Sequence, residues 1–308
     1  MGAITENKDI SKSFIYGGFF LFFSITALNF LKIEPAHTLY YIFVWWSYIF
    51  FVDGVIYTIR NESLIISRTK DFFRLLPWSV FIWFIFELFN LRLQNWHYLY
   101  IPSSDYLRWS GYILAYATVL PGIFETAELL ETLGLFKKSK IKPIKITPKL
   151  LKSSMLMGAA FIALPMMWPK YFFPLIWGGF IFLLEPINYR LGLNSFLKDW
   201  AQGNIKKFYT LLLSGFICGG LWEFWNFLSG AKWEYTVPFV GNFKIFEMPI
   251  LGYLGFPPFA ISCYIIYSFI SYIWRGKNYE FEAQENLKIR NKLLLTLGAY
   301  TLLIIITA

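Results

Sequence analysis

Charged residues are scarce in this chain: they make up 15% of its 308 residues, whereas hydrophobic residues make up 57%. Soluble domains carry about 25% charged residues, so this composition excludes an ordinary soluble fold. Only two histidines are present, and no helical segment supplies the paired axial histidines of a common bis-histidine haem site. The two cysteines, Cys218 and Cys263, lie in apolar segments and are expected to be core residues.

Recognisable catalytic motifs are also missing. The chain has no phosphate-cradling glycine loop, nucleophile elbow, His-Glu-x-x-His or Cys-x-x-Cys sequence. We therefore predict no metal site and assign no cofactor. The net charge of +9 does not indicate a nucleic-acid partner, because in a membrane protein basic residues mark the cytoplasmic loops. The partners expected are the lipid bilayer and an amphiphilic small molecule.

What the chain does contain is a series of apolar stretches of about 20 residues, the length that crosses a bilayer as a helix. Because none alternates with the period of an outer-membrane strand, we predict an all-α, polytopic membrane bundle. The nine predicted segments are 13–33, 39–59, 75–93, 109–134, 151–168, 171–190, 208–228, 249–274 and 293–308.

The orientation follows from the basic residues. If the N-terminus is cytoplasmic, 22 of the 28 Lys and Arg residues lie on the cytoplasmic side. This bias predicts a cytoplasmic N-terminus and an external C-terminus, in the cytoplasmic membrane of a bacterium or archaeon. The first segment lacks a small-residue cleavage site and is expected to be a retained anchor.

An internal repeat relates the two halves. Segment two and segment six share four residues at a constant offset of 132: Trp45 and Trp177, Phe50 and Phe182, Asp53 and Glu185, Tyr57 and Tyr189. The repeated unit is four helices long, so its copies have the same orientation in the membrane. The predicted division is a first repeat over 1–136, a basic linker over 137–149, a second repeat over 150–274, a charged loop over 275–292 and an extra helix over 293–308.

Two polar motifs interrupt the apolar segments. Glu87 and Asn90 recur as Glu223 and Asn226, and each pair is followed by a Trp-x-Tyr sequence. Three-residue spacing places each pair on one helix face. Carboxylates are costly in a membrane, so these residues and the repeat-related acids Asp53 and Glu185 are expected to face the bundle interior. They either hydrogen-bond between helices, or build a ligand site, or relay protons.

A further acidic face lies on segment four, where Glu125, Glu128 and Glu131 follow one another at three-residue spacing. One hypothesis is a metal or acid–base site, and the other is an acidic face that meets the basic loop beginning at Lys137. Segment four is expected to break at Pro121-Gly122. His97, just outside segment three, is either a proton carrier or a solvated interfacial residue.

The stretch 229–258 is rich in proline, glycine and aromatic residues and carries Glu247. Broken backbone at membrane depth is tolerated only where protein buries it or where it lines a cavity. We therefore expect this stretch to fold back near Glu223 and to bring Glu247 to the same cavity.

In its general architecture, a tandem membrane repeat with acids beside aromatics, the chain resembles the small membrane cyclases and hydratases of carotenoid synthesis. That resemblance implies carboxylates acting as acids on apolar polyenes, and no residue role is carried over. The function expected is binding or transport of an amphiphilic or lipid-like molecule in an outward-facing cavity lined by Glu87, Asn90, Glu223, Asn226 and Glu247. The alternatives are a membrane enzyme of lipid or isoprenoid metabolism and an accessory subunit of a membrane complex.

Overall fold

The computed structural model of the chain describes residues 2–241 and 243–275. It is an all-α bundle with little sheet, as predicted. The helices are α1 Gly2–Phe30, α2 Tyr40–Arg60, α3 Thr69–Leu93, α4 Asp105–Tyr116, α5 Val119–Thr132, α6 Pro148–Met167, α7 Pro169–Phe172, α8 Ile176–Arg190, α9 Phe196–Ala201, α10 Lys206–Leu228 and α11 Phe256–Arg275. The strands are β1 Trp96–Leu99, β2 Lys232–Tyr235, β3 Lys244–Ile245 and β4 Met248–Pro249, and short 3-10 helices cover Phe173–Leu175 and Ile250–Gly255.

Within the part of the chain that the structure describes, eight helical segments are long and apolar enough to cross a membrane. They match the first eight predicted segments and make this an integral membrane protein. The ninth predicted segment, 293–308, lies outside the described residues. The fourth span consists of two helices, α4 and α5.

The break in that span lies at Ala117 and Thr118, four and three residues before Pro121, and not at the predicted Pro121-Gly122. A proline ring clashes with the carbonyl of the residue four positions earlier, here Ala117. Pro121 itself is tolerated because it lies in the first turn of α5. Gly122 is needed for a different reason: a Cβ there would lie 2.8 Å from the ring of Trp45.

The chain divides into two compact units. Among the described residues, unit 1 consists of those up to Asn90, Gln94–Lys137 and those from Tyr209 to Ala260, and unit 2 consists of Leu91–Leu93, Lys138–Phe208 and those from Ile261 to Arg275.

Glycines let the first two helices of unit 1 pack at close range. A Cβ on Gly18 of α1 would lie 2.8 Å from the Ser47 carbonyl oxygen of α2, and a Cβ on Gly54 would lie 2.9 Å from the Ser11 carbonyl oxygen. Small residues at such crossings are typical of helix packing in membranes. Helix α10 joins the same core, because the Ser214 hydroxyl donates to the Ile123 carbonyl oxygen of α5 at 2.6 Å.

Unit 2 has a similar crossing between α6 and α8. A Cβ on Gly158 would lie 2.3 Å from the backbone nitrogen of Leu183, and the Ser154 hydroxyl donates to the Phe182 carbonyl oxygen at 2.9 Å. The buried Asn188 amide of α8 holds α11 by donating to the Ile265 carbonyl oxygen at 3.0 Å.

Candidate functional site in unit 1

Glu87 lies near the end of α3, and donors from three elements converge on one of its oxygens. Oε1 accepts from the indole nitrogen of Trp83 at 2.8 Å, from that of Trp96 at 3.2 Å, and from the hydroxyls of Tyr98 and Tyr116. The single hydroxyl hydrogen of Tyr116 is shared between two acceptors, with Tyr98 nearer at 3.0 Å than Glu87 at 3.5 Å. Together these bonds tie α3, β1 and α4 to one carboxylate.

Tyr98 is held in its donor form. Burial raises the pKa of its hydroxyl well above the usual range, and the neighbouring Tyr116 and Glu87 raise it further. A tyrosine that stays protonated can donate to Glu87 at every physiological pH.

Asn90 and Asn226 each fold the turn that follows their helix. The Asn90 amide donates to the Trp96 carbonyl oxygen at 2.8 Å and accepts from the Asn95 backbone nitrogen at 2.8 Å. Asn226 repeats the arrangement, donating to the Trp233 carbonyl oxygen at 2.8 Å and accepting from its backbone nitrogen at 2.9 Å. Both amides use their oxygen and nitrogen on the backbone, so they position the two strands.

Those strands, β1 and β2, pair antiparallel. Trp96 lies opposite Tyr235 and Tyr98 lies opposite Trp233, so the two Trp-x-Tyr sequences meet in a symmetric register. The pairing brings the segment that follows Glu87 against the segment that follows Glu223.

Glu223 differs from Glu87 in its hydrogen bonding. Its side chain is fully buried, with 0% exposure, and its Oε1 accepts from the Tyr235 hydroxyl at 2.8 Å. The indole of Trp233 donates to the same hydroxyl at 2.8 Å. Its second oxygen, Oε2, has no hydrogen-bond donor in the described part of the chain. A buried polar atom left without a partner costs about 1–3 kcal/mol.

Tyr235 also stays protonated, since burial raises the pKa of its hydroxyl well above the usual range and the Glu223 charge raises it further. It is therefore a fixed donor to Oε1 and leaves Oε2 as the unfilled position. The ring of Tyr41 packs edge-to-face on that of Trp233, with 5.0 Å between their centroids, and so adjoins this cluster.

Aromatic rings fill the surroundings of Glu223. The ring of Trp222 lies 5.7 Å from that of Trp45 and 5.7 Å from that of Phe259, and Trp45 lies 4.8 Å from Trp225 in an edge-to-face contact. The buried indole nitrogen of Trp222 also has no acceptor among the residues described. Within the described residues, the region thus combines a large apolar surface with an unfilled acceptor on Glu223 and unfilled indole donors on Trp222 and Trp45.

Two other predicted site residues have partners outside this cluster. Glu247 accepts a hydrogen bond from the Lys232 ammonium. It acts on Glu223 through its charge. Burial lowers the pKa of Lys232, but the hydrogen bond and the charge of Glu247 outweigh it and raise the pKa overall. His97 is exposed on β1, opposite Glu234.

Asp53 and Glu185, which the predicted repeat relates, make matching local contacts. Asp53 accepts from the Ser63 hydroxyl at 2.9 Å and from the Ile65 backbone nitrogen at 2.6 Å. Glu185 accepts from the Ser195 hydroxyl and from the Leu197 backbone nitrogen at 2.9 Å. Each carboxylate therefore holds the turn that follows its helix.

The three glutamates of α5 have different surroundings. Glu128 pairs with Arg68 and lies 3.7 Å from Arg60, so it meets the α2–α3 loop. Glu125 is fully buried, and neither of its oxygens has a donor among the described side chains and backbone groups. Glu131 is only partly buried. Across residues 2–241 and 243–275, no group of three or more His, Cys, Asp or Glu side chains could hold a metal ion.

Sequence reasoning did not identify Trp83, Tyr116 or Arg68 as partners of the acids. Tyr98 and Tyr235 could have been identified from the sequence, because the Trp-x-Tyr sequence recurs after both glutamates. Arg68 and Tyr116 stand far from their acids in the chain, and only the packed helices bring them together.

Comparison of this chain with models of known protein families, with curated proteins and with solved structures returns no significant match. The chemistry of the site therefore has to be inferred from its own residues.

Proposed function

We propose that this integral membrane protein binds an amphiphilic or lipid-like small molecule in unit 1, with Glu223 as its polar contact. The unfilled oxygen Oε2 of the fully buried Glu223 carries the proposal. A ligand hydroxyl or amine would satisfy that oxygen, and the rings of Trp222 and Phe259 would contact the apolar part. Mostly apolar pockets with a few placed polar groups are typical of small-molecule sites.

The contrast with Glu87 supports this assignment. Four donors already surround one oxygen of Glu87, so that residue holds its own helix and strand in place. In this proposal the two glutamates have separate roles: Glu87 supports the site and Glu223 contacts the ligand. Asn90 and Asn226 position the strands β1 and β2 that cover the site.

A tandem repeat accounts for the pairing of the motifs. The contacts of Asp53 with Ser63 and Ile65 recur 132 residues later as those of Glu185 with Ser195 and Leu197. With the basic loops inside, the N-terminus is cytoplasmic and the strands after α3 and α10 lie on the outer side. The ligand would then enter from outside, and transport would require the opposite end to open.

Replacing Glu223 by glutamine is expected to release the bound molecule. The amide nitrogen that takes the place of Oε2 is a donor and cannot accept from a ligand hydroxyl or amine. Protein extracted in detergent-free lipid discs should carry a compound enriched over the surrounding lipid, as measured by mass spectrometry. We expect Glu223→Gln to lower that enrichment at least tenfold, which corresponds to about 1.4 kcal/mol of binding free energy.

The matched control is Glu87→Gln, which keeps an oxygen for the converging donors and should retain the compound. Equal enrichment in the wild type and both variants would contradict the proposal.

Acid catalysis on an isoprenoid is the second candidate, favoured by a buried carboxyl beside aromatic rings. Such a carboxyl, when protonated, can act as a general acid, and aromatic faces stabilise a cation. The same extraction distinguishes the two, since a Glu223→Gln enzyme would leave its substrate unconverted. A new, unconverted compound in cells that carry the variant would favour catalysis, whereas simple loss of the compound would favour binding.

A further inference from the structure

A second polar cluster lies at the other end of unit 1, near the start of α3. Asp53 of α2 and Glu125 of α5 are both fully buried, with 0% exposure. Asp53 lies 12 residues after Tyr41 on α2, or about 18 Å along the helix axis, and Tyr41 contacts Trp233 beside Glu223. The cluster is therefore separate from the Glu223 site and is not part of the proposed ligand contact.

The two acids are adjacent. The side chain of Glu125 is a neighbour of Asp53, and Asp53 already accepts hydrogen bonds from Ser63 and Ile65. Neither oxygen of Glu125 has a donor in the described part of the chain. Two ionised carboxylates are both acceptors and cannot bond to each other, so this contact becomes a hydrogen bond only if one acid carries a proton.

The charges around the pair agree with one bound proton. The charges of Asp53, Glu128 and Arg68 act on Glu125, which also interacts with Tyr48 of α2. Arg68 forms ion pairs with Glu128 and Glu62, so its one positive charge is shared among several carboxylates. Like charges buried side by side disfavour ionisation of both groups.

A bound metal cation explains the geometry less well. Hard cations take six or more oxygen ligands, and the ion would have to find them beside Glu125. The oxygens of Asp53 are already bonded to Ser63 and Ile65. A single proton needs only the two facing carboxyl oxygens.

We infer that Asp53 and Glu125 form a buried acid pair that holds one exchangeable proton. The proton lies on Glu125 and is donated to Asp53, whose other acceptor positions hold the loop between α2 and α3. Loss of this proton would leave two adjacent negative charges and would weaken the contact between α5 and that loop. The pair is thus a proton-binding site at the end of unit 1 away from Glu223.

Infrared spectroscopy tests the pair directly, because a protonated carboxyl has a C=O stretching band that a carboxylate lacks. In protein purified in lipid discs, Glu125→Gln is expected to remove one such band. Asp53→Asn should shift the same band, since it changes the partner of the acid. Gln at position 125 can still donate to Asp53, so the variant should remain folded, as checked by its melting temperature.

The control is Glu128→Gln, whose carboxylate is paired with Arg68 and which should leave the protonated band unchanged. A set of protonated-carboxyl bands that is unchanged by Glu125→Gln would overturn the inference. So would a band that disappears in the wild type when sodium is added at constant pH, since the pair would then bind a cation in place of a proton.

Discussion

Glu87→Ala is expected to lower the free energy of unfolding by about 3 kcal/mol or more. The substitution removes the oxygen that accepts from Trp83, Trp96, Tyr98 and Tyr116. Each buried donor left without an acceptor costs about 1–3 kcal/mol. Tyr98 and Tyr116 would still bond to each other, so part of the network would survive.

Unfolding in mixed micelles, followed by tryptophan fluorescence, measures this loss. Glu87→Gln is the control, because its amide oxygen can still accept from the converging donors and should lower stability much less. Glu223→Ala should also cost less than Glu87→Ala, since Glu223 accepts from the Tyr235 hydroxyl whereas Glu87 accepts from donors of three elements. Equal losses at the two glutamates would show that both are structural.

Gly18→Leu is expected to lower stability by about 2–3 kcal/mol, because overpacking a close contact displaces backbone. A Cβ at Gly18 would lie 2.8 Å from the Ser47 carbonyl oxygen and 2.9 Å from the Phe51 backbone nitrogen. Neither atom can move without shifting α2, which carries Trp45 and Asp53. The variant should therefore have a lower melting temperature and should also retain less ligand at Glu223.

The neighbouring Gly17 offers a matched control. It is exposed, and a Cβ there would meet nothing within 4 Å. Leucine is the better helix former by close to 1 kcal/mol, so Gly17→Leu should be neutral or slightly stabilising. A melting temperature that falls equally in both variants would contradict the close packing of α1 on α2.

The membrane spans were predictable because hydropathy and length alone determine them. All eight described spans overlap a predicted segment, and the largest difference is the break at Ala117 and Thr118. That break lies one turn before Pro121, because the proline ring clashes with the carbonyl group of Ala117. Helix length and hydropathy do not reveal it.

The acids were predictable as interior residues but not in their roles. Glu87 and Glu223 have the same local sequence pattern, yet Oε1 of Glu87 accepts from donors of three elements and Oε1 of Glu223 accepts from the Tyr235 hydroxyl. The difference arises from Trp83 and Tyr116, which have no repeat counterpart bonded to Glu223 in the described structure. Asp53 and Glu125 are 72 residues apart in the chain, and no spacing rule links them.

A density map of the wild-type protein in lipid discs tests the separate roles of the two glutamates most directly. We expect density for a bound molecule within hydrogen-bonding distance of Oε2 of Glu223, against the rings of Trp222 and Phe259. We expect no such density at Oε1 of Glu87, where the protein supplies the donors. A map in which Oε2 of Glu223 bonds to a side chain of its own unit, with no bound molecule, would contradict this expectation.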